Sequence, residues 1–169
     1  MTEYRVGFEV VEREVRKKSF GVLSVVDSKL RPHSTGILYG VSPPQSKFAF
    51  YIMVGSRYAK VRHIKRNPNV SLVVTFPHYY IRFAPASYAM FRGVADFVPI
   101  EDKDVQWAFR QSRILRMNID STPIEYDVAV IRIQPEPTVF CCGLGIGLLE
   151  LRRSHETGSY KVKIPGHRL

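Results

Sequence analysis

A cluster of basic side chains follows a Gly-Ser pair near the middle of the chain, and these residues are the best placed to do chemistry. Arg57, Lys60, Arg62, Lys65 and Arg66 lie within a stretch that contains no acid. Lys60 falls near the start of a predicted helix, where the helix dipole is already positive, so a bound anion would make its position favourable. Two interpretations stay open: an anion site that uses Arg57 and Lys60, or a solvated basic face that keeps the helix soluble.

The elements on either side would hold this cluster in place. Residues 48–54 are apolar at every position, which is typical of a strand buried on both faces. Gly55 ends that run, and Ser56 is predicted to cap a helix over residues 57–67, in which apolar positions recur every three residues. Pro68 ends the helix, and residues 70–76 predict a second strand.

This order of elements resembles the pyridoxamine-phosphate-oxidase-like flavin-binding split barrels. The similarity is carried by an apolar strand, a Gly-Ser-Arg turn, a Lys at the helix start and the run Arg-Asn-Pro-Asn-Val-Ser-Leu, and it extends more loosely over residues 15–140. The resemblance implies that Arg57 and Lys60 grip the phosphate of FMN or of a related deazaflavin coenzyme. Ala59 stands where the family usually has an Arg directly before the Lys, and Arg57 lies two residues further back than in the oxidase.

The same resemblance implies that a second strand lines the ribityl chain and ring of the cofactor. His33, Ser34, Thr35 and Gly36 stand at those places, and Thr35 replaces a phosphate-binding Arg of the oxidase. Gly36 can be explained with or without a cofactor, since glycine in a strand marks a bulge or a place where a ligand approaches the backbone closely. The full set of predicted cofactor-binding residues is His33, Ser34, Thr35, Gly36, Met53, Val54, Ser56, Arg57, Lys60 and Val61.

The rest of the pattern predicts a mainly β fold. Strands are expected at Phe20–Val26, 32–39, Ser87–Val98 and 127–134, the last continuing over 138–142 after a break at two prolines. Gly93 is expected to allow a bend in its strand. A helix is predicted over residues 101–117, an aromatic loop over 78–85 and a glycine-rich bend over 143–147. Together they give a six-stranded antiparallel Greek-key split barrel with two or three short helices.

Composition bounds the class of protein. The 169 residues, 45% hydrophobic, predict a single domain, with residues 1–18 as a short helical or irregular lead-in and 152–169 as a basic, turn-rich tail that is a surface segment or partly ordered. The net charge of +10 is dispersed, without a nucleic-acid-binding signature, and no run is apolar enough for a membrane span. Two adjacent cysteines form no disulfide framework, and the charged N-terminus is unlike a signal peptide, so we expect a cytoplasmic protein. No spacing of His and Cys indicates a metal site.

These observations lead to an FMN-dependent oxidoreductase of unknown substrate as the first hypothesis. The resemblance implies a homodimer with the cofactor at the subunit interface, and a small molecule or NAD(P)H as reaction partner. The oxidase itself is disfavoured, because the C-terminal segment lacks its substrate-binding pattern. A deazaflavin-coenzyme-dependent reductase and a flavin reductase are alternatives within the class. A non-catalytic split barrel that binds flavin, haem or another anion is the alternative outside it.

Overall fold

The computed structural model describes residues 6–77, 86–120, 127–145 and 158–169, with side chains of the second range up to Met117. The predicted aromatic loop over 78–85 and the end of the glycine-rich bend lie outside these residues. The elements in chain order are α1 (Phe8–Arg16), β1 (Phe20–Val26), β2 (Pro32–Leu38), β3 (Gly40–Val41), β4 (Phe50–Gly55), α2 (Ala59–Arg66), β5 (Asn69–Phe76), β6 (Ser87–Val98), α3 (Lys103–Arg110), α4 (Arg113–Asp120), β7 (Val128–Cys142) and β8 (Ser159–Lys163), followed by a short 3₁₀ turn (Gly166–Arg168).

The strands form one antiparallel sheet that curls into the half-barrel of a split-barrel fold. Their order is β2-β1-β5-β6-β7-β4-β3, and β8 pairs with the far half of β7. All six predicted strands are present, and β1 and β6 begin and end where the sequence predicts. The short β3 and the C-terminal β8 are additions, so the described residues contain eight strands rather than six.

Strand β7 runs unbroken through its two prolines, so the predicted break at residues 135–137 is wrong. The strand pairs with β4 only as far as Ile133 and with β8 only from Thr138. The prolines therefore fall where β7 changes its neighbour on that side, a place in a sheet where proline is tolerated. On its other side β7 pairs with β6, whose register shifts between Phe91 and Gly93. That register shift lies at Gly93, where the sequence predicts a bend.

Two hydrophobic clusters hold the layers together. The larger lies inside the curled sheet and is covered by α1; the aromatic rings of Phe50 and Phe91 meet there at 4.8 Å between centroids and 68° between planes. Such inclined contacts add about 0.5–1.5 kcal/mol beyond the area they bury. The smaller cluster packs Val105 and Phe109 of α3 against Tyr51 and Val130 on the other face of the sheet.

Two further expectations need correction. The single helix predicted over 101–117 is two helices, because the chain turns at Gln111–Ser112 although the apolar pattern continues through that point. The tail is not merely a surface segment: residues 159–163 form β8, and Arg168 is only 5% exposed. The lead-in, left open between helix and irregular chain, is the helix α1.

Candidate functional site

The turn between β4 and α2 positions the predicted anion site, but Ser56 does not cap the helix. The helix begins at Ala59, and Tyr58 occupies the capping position without any side-chain hydrogen bond to the first turn. The Ser56 hydroxyl donates instead to the Asp127 carboxylate, and its backbone N–H donates to the Asp127 carbonyl at 2.9 Å. The first backbone N–H groups of α2 are therefore not satisfied by a side-chain cap, which suits them to bind an anion.

Lys60 is the second residue of α2. Its side chain is half-buried, and its ammonium lies 5.8 Å from the centre of the Tyr58 ring. Burial lowers the pKa of Lys60, because desolvation disfavours the charged form. Among the ion pairs of the described residues none involves Lys60, so no carboxylate offsets that cost. A bound anion would restore the interactions that the ammonium has lost to burial.

Arg57 lies on the exposed side of the same turn. Its carbonyl accepts a hydrogen bond from the Arg62 guanidinium at 3.0 Å. This bond links the turn before α2 to the fourth residue of the helix. Its own side chain is exposed. Arg57 could therefore reach a ligand only from the solvent side, whereas Lys60 reaches it from a partly buried position.

A cavity of about 370 Å³ opens on one flank of α2. Ser56 and Val61, both predicted site residues, form part of its wall, and Lys65 stands at its edge with its ammonium 5.8 Å from the Phe97 ring centre. The remaining wall is apolar and comes from the end of β6, the segment after it and the start of β7. An apolar chamber with a few polar groups is typical of a small-molecule site, and its volume is near the lower end of the roughly 300–1,000 Å³ usual for one.

The four predicted residues of β2 divide between the two faces of the sheet. His33 and Thr35 lie opposite Val25 and Leu23 of β1, whose side chains enter the larger core cluster. Ser34 and Gly36 are on the outer face, since successive side chains of a strand alternate.

The outer pair is already in contact with neighbours from β1. The Ser34 hydroxyl lies 2.8 Å from that of Ser24, within hydrogen-bond distance. A Cβ at Gly36 would come within 2.8 Å of the Phe20 ring. Packing of Phe20 therefore accounts for the glycine without a ligand, and no single ligand can touch all four β2 side chains.

Met53 and Val54 divide in the same way on β4. Val54 packs on the larger core cluster inside the half-barrel, and Met53 packs on the smaller cluster beneath α3. The backbones of both residues are in the ladder to β7. On the side of the sheet where α2 lies, β4 can therefore offer a ligand only its end, around Val54.

His63 is a residue of this site that the sequence did not single out. Its imidazole meets that of His33 edge to face, with 5.7 Å between ring centres. It stands three residues after Lys60, a spacing that places both on one side of a helix. This spacing from Lys60 is the signal in the sequence that could have identified His63. The structure thus brings His63 into contact with His33, with Lys60 three residues earlier on the same side of α2, and places Ser56, Val61 and Lys65 around the cavity.

This arrangement, a curled antiparallel half-barrel with a short cationic helix at one end, defines a split barrel. The family model described as pyridoxamine 5'-phosphate oxidase matches residues 9–142, and the chain belongs to that family. No curated protein matches the chain by sequence.

Solved structures with the same fold are distant in sequence. HutZ, the heme storage protein from Vibrio cholerae, is 22% identical, with a TM-score of 0.65 over 83% of this chain and 98% of its own. A heme binding protein from Mycobacterium smegmatis is 13% identical, with a TM-score of 0.70; it is matched over 96% of this chain but only 60% of its own length. General Stress Protein 26 from Bacillus anthracis is 19% identical, with a TM-score of 0.54 over 79% and 91%. These similarities establish the fold.

The described helices are all too short or too polar to cross a membrane.

Proposed function

We propose that the chain binds a flavin nucleotide and acts as an oxidoreductase on a small molecule. The observation that carries the proposal is the state of Lys60: half-buried, without an acidic partner among the described residues, and beside an uncapped helix start. The half-burial of the ammonium costs free energy in the ligand-free protein. One bound phosphate group would offset that cost and accept hydrogen bonds from the N–H groups of the helix start. FMN is the ligand that the family resemblance favours.

The predicted residues take limited roles in this proposal. Lys60 and the first N–H groups of α2 bind the phosphate, with Arg57 adding a contact from the solvent side. Thr35 and His33 face the ligand from β2. Bound flavin supplies hydride transfer, while the chain binds, orients and shields it. The apolar cavity beside Ser56 and Val61 offers room for a ring system or for the second substrate.

The proposal includes a homodimer, which the family resemblance implies. A row of apolar side chains crosses the outer face of the sheet, where Val22, Val73, Met90 and Phe140 lie opposite one another on four neighbouring strands. All four are half-buried, and Phe20 at the edge of the row is 55% exposed. A second copy covering this face would remove the row from water. Sedimentation velocity tests the proposed homodimer, because a monomer at micromolar concentration would contradict it.

Titration of FMN into wild type and Lys60→Ala, followed by quenching of flavin fluorescence, tests the function. Loss of a hydrogen bond to a charged group costs about 1.5–3 kcal/mol, so Kd should rise roughly tenfold to more than a hundredfold. Lys103→Ala is the matched control; it removes the same charge from an exposed position at the start of α3 and should leave Kd within about twofold. The titration is repeated with a deazaflavin coenzyme to separate the two cofactor classes.

Failure of wild type to bind either cofactor would overturn the proposal. Equal weakening by Lys60→Ala and Lys103→Ala would also count against it, since a general loss of positive charge would then explain the result. A cytoplasmic location remains a prediction, to be checked by cell fractionation.

Haem binding is the second candidate, favoured by the names of the two structures reported above from V. cholerae and M. smegmatis. In this case the anionic groups held by the cationic flank of α2 would be carboxylates. Haemin titration followed by the Soret band separates the candidates. Stoichiometric haemin binding without flavin binding would replace the first proposal with this one.

A further inference from the structure

The imidazole of His63 has one nitrogen in an unusual state. Its Nδ1 is buried and has no hydrogen-bond partner within the described residues. Buried polar atoms without partners are rare, and each calls for an explanation. His63 lies in the third position after Lys60 on α2, and helical side chains lean toward the N-terminal end of their helix. The ring therefore projects toward the turn that carries Lys60.

The enclosure of Nδ1 favours one of the two tautomers of His63. A neutral imidazole carries its hydrogen on one nitrogen and leaves a lone pair on the other. A buried N–H without an acceptor is disfavoured more strongly than a buried lone pair without a donor. A tautomer with its hydrogen on Nε2 avoids a buried N–H without an acceptor and presents a hydrogen-bond donor on the less enclosed side of the ring. The ring of His33, 5.7 Å away between centres, limits its rotation.

The surrounding charge decides what that donor can bind. α2 carries no acid in its first turn and carries Lys65 and Arg66 in its last. Two imidazoles close together could in other surroundings hold a divalent metal ion. Here the cations of the same short helix repel a metal ion and attract an anion, since all lie within about one Debye length of His63. No three potential metal ligands converge among the described residues either.

We propose that His63 is a phosphate-binding residue, donating Nε2–H to the phosphate monoester held by Lys60, with His33 as the residue that positions its ring. This inference rests on the proposed function and extends it, because nothing in the family resemblance assigned a role to this position. It identifies the ligand's recognised end as a phosphate monoester rather than a ring or a ribityl chain.

The test compares FMN with riboflavin, which has the same ring and ribityl chain but no phosphate. His63→Phe keeps an aromatic ring against His33 and removes the donor, so FMN should bind about tenfold or more weakly while riboflavin binding stays within twofold. His63→Gln places an amide N–H near the position of Nε2–H and should recover most of the FMN affinity. His167→Gln is the control, since that imidazole is exposed in the C-terminal segment.

The outcomes separate this inference from the proposed function. If Lys60→Ala weakens FMN binding and His63→Phe does not, the role of His63 is refuted and the phosphate site stands. Equal loss of FMN and riboflavin with His63→Phe indicates a packing role and also refutes it. No FMN binding by wild type overturns both. If His63→Phe fails to fold, NMR of wild type decides: the His63 ring signals must shift with FMN and not with riboflavin.

Discussion

The buried guanidinium of Arg168 should contribute more to stability than any other single charged side chain of the described residues. It is 5% exposed and donates through Nη1 to the carbonyls of Pro43, Pro44 and Ser46, with the first of these at 3.2 Å. Nη2 donates to the Glu12 carboxylate at 2.8 Å. These contacts fasten the C-terminal turn to α1 and to the loop before β4.

The expected size of the effect follows from what Arg168→Met would leave behind. Removing one partner of a buried ion pair costs about 3–5 kcal/mol when the other charge loses its only partner. Glu12 keeps Arg16, whose Nη2 lies 2.6 Å from the same oxygen, and the buried Arg168 Nε has no partner among the described residues. Both facts reduce the loss, so we expect about 3 kcal/mol, or a Tm lower by roughly 6–12 °C for a chain of this length.

Urea unfolding monitored by the fluorescence of Trp107, the single tryptophan, measures this change. Arg13→Met is the matched control, because its guanidinium is 62% exposed in a surface pair with Glu14 and should contribute under about 1 kcal/mol. If Arg168→Met lowers the free energy of unfolding by less than 1 kcal/mol, or no more than the control does, the contacts of Arg168 are not the stabilising feature argued here.

Two further predictions concern the sheet and its first turn. Gly93→Ala should destabilise the protein by about 2–3 kcal/mol in the same urea assay, because a Cβ there would lie 2.2 Å from a carbonyl oxygen of β7; an unchanged midpoint would contradict the close approach. The backbone N–H and then the guanidinium of Arg31 lower the pKa of Asp27 to about 2. Because the pKa of Asp27 is lower in the folded state than the unfolded value near 3.9, the ionised carboxylate stabilises the fold above that pH. The difference in unfolding free energy between wild type and Asp27→Asn should therefore be present at pH 5 and disappear as the pH falls through about 2. A gap that does not change with pH would refute this.

Local patterns predicted the strands well because their determinants are local. Residues 20–26 and 87–98 are bounded by turn residues, and both strands match in full. The strand β8 was missed although its signal is present: Tyr160, Val162 and Ile164 alternate with polar residues. The many basic residues of the tail masked this alternation of apolar and polar side chains.

Contacts between distant parts of the chain account for the errors at the site. Ser56 has the right identity and position for a helix cap, but Asp127, 71 residues later, binds its hydroxyl, and the helix begins further on. No pattern within the segment indicates that competition. The partnership of His33 with His63 is equally invisible, since it depends on which end of β2 faces α2.

The alternation of side chains along β2 narrows the way in which any ligand can use this site. A ligand bound on the α2 side meets the side chains of His33 and Thr35, whereas Ser34 and Gly36 are on the opposite face, in contact with Ser24 and Phe20. The sequence resemblance treats the four as one lining, but a strand offers only every second side chain to one molecule. Because Thr35 carries no charge, the positive groups available to an anion on this side come from α2. In the proposed site, the affinity for an anionic ligand is therefore expected to depend on the helix and on Arg57 before it, whereas β2 is expected to contribute shape and hydrogen bonds.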